Sequence, residues 1–282
     1  MVYSFRMQPV FMDILPGLFF NSHTMLIKSL VCAFFFFFVI GASAQDNYEI
    51  QVYGSQTQAK ASTMFELHSN YTFSGEKQIV KGVLPSNHTE HETLEITTGI
   101  TDNFEIGVYL FTNYTPGHGY TIVGSHIRPR IMAPESWHLP VGLSLSVEAG
   151  YQKPEYSSET WNIEVRPIID KQWKKLYASF NPTFGISLKS KYDNSTPVFE
   201  PNIKVGYEFF KNTALGVEYY GSMGAINGFD AIKNQEHALF VTYDLLNNAK
   251  WEFNAGAGFG LTPSTDAFVF KIIIGRKVKW KK

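Results

Sequence analysis

The chain has 282 residues and is predicted to fold as an all-β protein: a closed antiparallel transmembrane β-barrel of about twelve strands. Three observations carry that prediction. Apolar and polar residues alternate with period two through most of the chain beyond residue 60, and helical periodicity is nearly absent. The polar face of the alternation is rich in glycine, which a strand facing open water has no reason to prefer but a narrow lumen does. Aromatic residues gather at the ends of the alternating segments, as at a membrane interface.

Composition sets the outer limits. With 44% hydrophobic, 16% aromatic and 17% charged residues and a formal charge of -1, the chain is neither a disordered segment nor a basic nucleic-acid binder. A mean hydropathy of -0.11 also argues against a polytopic helical membrane protein. Cys32 is the single cysteine, so no disulfide framework or Cys-ligated zinc site can form.

The elements follow in order. From Met25 the chain reads MLIKSLVCAFFFFFVIGASAQ, with Lys28, an apolar stretch from Leu30 to Ile40, and Ala42-Ser43-Ala44 before Gln45. This is the layout of a secretory signal peptide cleaved after Ala44, and its apolar stretch falls short of the about 20 residues a spanning helix needs. Residues 1–24 read as an over-long start, 25–44 as the signal peptide, and Gln45 as the first mature residue. Loss of Arg6, Lys28 and Asp13 leaves 22 basic and 24 acidic residues. Residues 45–61 are expected to be a periplasmic N-terminal extension. Glu49-Ile50-Gln51-Val52-Tyr53 alternates within it, but a thirteenth strand would place the two termini on opposite sides of the membrane.

The barrel is expected over residues 62–280. Strands are predicted at 62–72, 89–100, 104–113, 119–131, 140–152, 159–170, 175–188, 197–209, 213–222, 235–245, 250–260 and 266–278. The clearest runs from Val141 to Tyr151, with odd positions apolar and even positions Gly, Ser or Glu. Short connections fall on one side and longer ones, above all 73–88 and 223–234, on the other, as in barrels with short periplasmic turns and longer outer loops. Pro129, Pro167, Pro182 and Pro201 all have lipid-facing parity. Proline cannot donate a ladder hydrogen bond, so each is expected to mark a bulge or kink.

The lumen-facing parity carries the concentrated chemistry: Glu66, His68, Asn70, Glu95, Glu105, His126, Arg128, Arg130, Glu148, Glu164, Arg166, Asn181, Glu200, Asn202, Lys204, Glu218, Asp244, Glu252, Asn254 and Lys271. The candidate site is the charge cluster Glu105, Arg128, Arg130, Glu148, Glu164, Arg166, Glu200 and Lys204. Arg128 and Arg130 share a strand flanked by strands bearing Glu105 and Glu148, so paired charges are expected, since buried charges are tolerable only when paired or hydrated. Two readings stand: a salt-bridge network that fills and stiffens the barrel, or a charged constriction that selects polar or ionic solutes.

Other motifs carry less. Asn87-His88-Thr89-Glu90-His91-Glu92 brings imidazoles and carboxylates together at a loop–strand junction, but its spacing fits no defined metal motif. Ser69 and Ser125 each adjoin a histidine, His68 and His126, yet neighbouring strand residues point to opposite faces and cannot form a nucleophile–base pair. No catalytic, metal or cofactor site is therefore expected.

The segments TMFELHSNYTFSG, HETLEIT, GSHIRPR, PVGLSLSVEAGYQ and WNIEVRPIIDK resemble a group of Gram-negative outer-membrane barrels loosely akin to those associated with meta-pathway phenol degradation. Residues Phe268, Phe270, Ile272, Ile274, Val278 and Trp280 share one parity. They resemble the aromatic-ended terminal strand read by the barrel-assembly machinery, although Lys281 and Lys282 follow. The resemblance implies a narrow pore or small-solute transporter in the outer membrane, or alternatively a closed structural or surface-binding barrel. The partners it implies are the lipid bilayer, lipopolysaccharide, the assembly machinery and a small polar or aromatic solute, without nucleic acid.

Overall fold

A computed structural model describes residues 47–190 and 196–280; the expected over-long start, signal peptide, Cys32 and cleavage site lie outside the described residues. The described residues form twelve strands: β1 (Ser62–Ser74), β2 (Thr89–Gly99), β3 (Phe104–Thr115), β4 (Gly119–Met132), β5 (Gly142–Gln152), β6 (Glu159–Trp173), β7 (Leu176–Ser190), β8 (Val198–Phe210), β9 (Thr213–Ser222), β10 (Glu236–Leu245), β11 (Trp251–Gly260) and β12 (Phe268–Lys279). Each pairs antiparallel with its neighbours in sequence, and β1 pairs with β12, from Ser62 opposite Lys279 to Ser74 opposite Phe268, to close the barrel. Two short 3-10 turns are the only helical pieces among the described residues, and no helix is long and apolar enough to cross a membrane.

The predicted parity is realised inside out relative to a water-soluble fold. In β5 the outward Leu145 is 43% exposed while the inward Ser146 is 2% exposed. Leu67, Val108, Leu110, Ile127, Val205 and Val241 likewise face outward, and Glu95, Glu105, Arg128, Glu218 and Lys271 face inward. An apolar outer wall over a polar interior is the arrangement lipid demands, because a closed barrel satisfies every ladder group without water. Aromatic rings rim both ends of the wall. Phe73, Phe268 and Phe259 pack in series at the end with the long loops, and Trp173, Phe210, Trp251 and Trp280 are exposed at the end that holds the strand termini.

The inward glycines leave room rather than bend the chain. A Cβ on Gly258 would lie 2.2 Å from the Phe240 ring, and one on Gly142 would lie 2.1 Å from Asp170 Oδ1.

Two expectations are corrected. No register shift occurs at any of the four prolines; the shifts fall at Thr72/Ser74, Phe111/Thr112, around Trp161, and at Glu208/Phe210. The prolines instead interrupt the ladder in register. Between β6 and β7 the paired positions pass from Val165–Phe184 to Ile169–Phe180, leaving Pro167 facing Pro182, which in turn faces Pro201 of β8. Proline lacks the donor, and facing prolines share the loss at one place.

The second correction concerns the N-terminal extension. Its described residues do not hang beyond the barrel but run through the interior. Asn47 donates to Asp266 at the long-loop end, and Lys60 bridges to Gly99 at the strand-termini end. Its alternating side chains create apolar contacts that the barrel wall lacks by itself. Tyr48 packs with Tyr109, Phe111 and Val123, while Ile50 and Val52 pack with Tyr220, Ala238, Phe240 and Val269.

Candidate functional site

The lumen is a packed interior formed by the wall and this threaded segment. Apart from the single bridge from Lys60 to Gly99, no described strand pairs with the segment, so its backbone groups, which must be satisfied when buried, bond to wall side chains instead. Thr93 Oγ1 donates to the Tyr48 carbonyl at 2.6 Å, Lys271 Nζ to that of Ile50 at 2.9 Å, and Ser179 Oγ to that of Tyr53 at 2.6 Å. Asn181 accepts the Tyr53 N–H at 2.8 Å, and Asp170 accepts both the N–H and the hydroxyl of Ser55, at 2.9 and 2.6 Å. Arg130 donates to the carbonyls of Gly54 and Gln56, at 2.9 and 2.8 Å. Inward side chains from most of the wall thus substitute for a ladder.

The predicted charges fall into three groups. In the first, Arg128 on β4 lies between Glu105 of β3 at 3.0 Å and Glu95 of β2 at 2.6 Å, while Arg130 shares Glu105 at 2.8 Å. Arg128 also donates to the Tyr109 hydroxyl. In the second, Arg166 pairs with Glu164 at 2.6 Å and meets Glu49 of the threaded segment at 4.0 Å. The third is Lys204, held by Glu218 at 2.9 Å and Asp244 at 2.6 Å, with Lys271 also bonded to Glu218.

Glu148, expected to balance the arginines, pairs with His126 at 2.7 Å. What gathers the arginines is Tyr53. The guanidiniums of Arg166, Arg128 and Arg130 stand 4.7, 5.0 and 5.6 Å from its ring centre, and its hydroxyl meets that of Tyr109 at 3.2 Å. Sequence reasoning placed Tyr53 outside the barrel and so missed it; the available signal was the alternation from Glu49 to Tyr53. Glu200 lies on β8 with its carboxylate alongside Gly185. The His88–Glu92 segment is dispersed by alternation: His91 turns inward against the Tyr48 ring, 5.0 Å away, and Glu90 accepts from Tyr120 on the opposite face at 3.3 Å.

These features define a closed, twelve-stranded antiparallel β-barrel of the transmembrane type. The fold is similar to that of a solved outer membrane channel from Pseudomonas putida F1, with a TM-score of 0.56, 11% identity, and coverage of 82% of this chain and 100% of that one. It is also similar to the NanC porin, with a TM-score of 0.50 and 8% identity over 77% of this chain and 100% of that one. At such identities the likeness is one of fold. No family model matches the chain, and neither does any curated protein.

Proposed function

We propose that the protein is a narrow outer-membrane pore for small polar or aromatic solutes, in which residues 47–60 set the free cross-section of a charge-lined lumen. The observation that carries this reading is the mode of attachment of the segment. It is held by side-chain hydrogen bonds and by aromatic and ionic contacts, with no β-ladder of its own. A strand zipped into the wall could not leave without opening the barrel, whereas this segment can shift while every wall ladder stays intact. The arginines and carboxylates that now bind the segment would then face water, as pore-lining charges do. A closed structural barrel is the second reading, favoured by how completely the segment is buried. Conductance in planar bilayers separates the two. A chain lacking residues 47–58 should conduct in larger steps than the intact chain if the segment sets the cross-section. A folded deletion variant that does not conduct would establish the closed barrel.

A further inference from the structure

Beside the first charge group, and sharing Glu95 with it, three side chains with donor atoms cluster on the wall of β1 and β2. Glu66 and His68 are successive inward residues of β1, and Glu95 lies directly opposite Glu66 on β2. All three are buried, and one donor atom from each lies within 4.8 Å of the other two. Glu95 Oε1 is committed to Arg128 and to the Thr97 hydroxyl, at 2.6 and 2.5 Å. Its other oxygen, Oε2, accepts no hydrogen bond and stands 3.4 Å from His68 Nε2, without hydrogen-bond geometry between them.

His68 is fully buried, and neither of its ring nitrogens has a hydrogen-bond partner. A neutral imidazole always carries one donor and one acceptor, so leaving both idle in a dry interior is costly. Glu66 makes no ion pair with any described lysine or arginine. A third carboxylate joins the row: Gly275 on β12 faces Glu66 on one side and Glu252 of β11 on the other. Its missing side chain is what lets them approach, because a Cβ there would lie 2.9 Å from Glu66 Cγ and 3.0 Å from Glu252 Cβ.

We propose that Glu66, His68 and Glu95 form a binding site for one divalent transition-metal ion, with zinc(II) the best match to one imidazole nitrogen and two carboxylate oxygens. Donors about 2.1 Å from a tetrahedral zinc are separated from each other by about 3.4 Å. That is the distance between His68 Nε2 and Glu95 Oε2. Imidazole and carboxylate together suit zinc better than calcium or magnesium, which take oxygen alone. Arg128 would serve as the outer partner that orients Glu95, in the way that groups behind metal ligands do. Glu252 or water would fill the fourth position. The ion would tie β1 to β2 beside the β1–β12 seam. The site depends on the wall alone and holds whether or not the lumen conducts.

The test uses the full chain folded in detergent, stripped with chelator and titrated with zinc against a chromophoric competitor. One zinc per barrel is expected. Glu66→Gln, which keeps the side-chain shape, and His68→Leu should each weaken binding by at least about tenfold. Heat-modifiable gel mobility establishes that each variant is folded; if His68→Leu does not fold, Glu66→Gln decides. X-ray absorption at the zinc edge should show a single imidazole, lost in His68→Leu. Zinc should raise the unfolding temperature of the parent chain and not that of Glu66→Gln. Equal zinc binding by parent and folded variants would assign the metal to exposed histidines such as His88, His118 and His138 and overturn the proposal. So would the absence of stoichiometric binding by the parent.

Discussion

Tyr53 contributes to the interior in two separable ways: its ring fills the space between three guanidiniums, and its hydroxyl meets that of Tyr109. Truncation to alanine empties that space and leaves the arginines without their shared apolar partner. Tyr53→Ala should therefore cost about 3–5 kcal/mol, as large core truncations do. Tyr53→Phe keeps the ring and should cost only about 1 kcal/mol, the value of one hydrogen bond. Unfolding midpoints from heat-modifiable mobility measure both, and equal losses would show that the hydroxyl, not the ring, holds the segment. Position 146 carries a similar lesson. A lumen residue of a water-filled barrel tolerates arginine, but Ser146 lies opposite Arg130 on one side and Arg166 on the other. Ser146→Arg should therefore impair folding at least as much as Leu145→Arg on the lipid face, where the cost is about 2–4 kcal/mol near mid-depth. Comparing the folded yields of the two variants checks this.

At the scale of the element, the row of Pro167, Pro182 and Pro201 marks a local interruption of the ladder between β6 and β7. Replacing both Pro167 and Pro182 by valine restores two donors at facing positions. It should raise stability by about 1 kcal/mol per ladder bond recovered. A lower unfolding midpoint in the double variant would mean that the break relieves strain elsewhere. The strands themselves were legible in the sequence, because period-two alternation is a direct record of which side chains meet lipid. Predicted and observed boundaries in β3 and β9 share their first residues, Phe104 and Thr213. The threaded segment was not legible as such. Glu49 to Tyr53 alternates like a strand, but the partners of the threaded segment are side chains scattered over β2, β3, β4, β6, β7 and β12, and no local pattern records that. The lumen charges were legible by parity, whereas their pairing was not. Glu148 turned to His126 because register and side-chain reach, not parity, decide partners.

The whole molecule has a direction. Asn47 sits at the long-loop end and Lys60 at the end of the strand termini. With the short turns facing the periplasm, as in outer-membrane barrels, Asn47 lies toward the cell exterior. Asn47→Cys in whole cells should react with a membrane-impermeant maleimide, and Thr57→Cys, which contacts Met132 and Asp102 at the opposite end, should not. The reverse pattern would invert the barrel. The same threading imposes an order of events during biogenesis. The segment is joined to β1 through Lys60 and Ala61, and β1 is one half of the closing seam. The seam joins strands that lie at opposite ends of the barrel sequence, the kind of non-local pairing that forms late. A sheet that curled shut first would leave the residues ahead of β1 to be pushed through a finished cylinder. Drawing the sheet around them instead makes the segment a mandrel, so removing it should slow closure as well as change the finished interior.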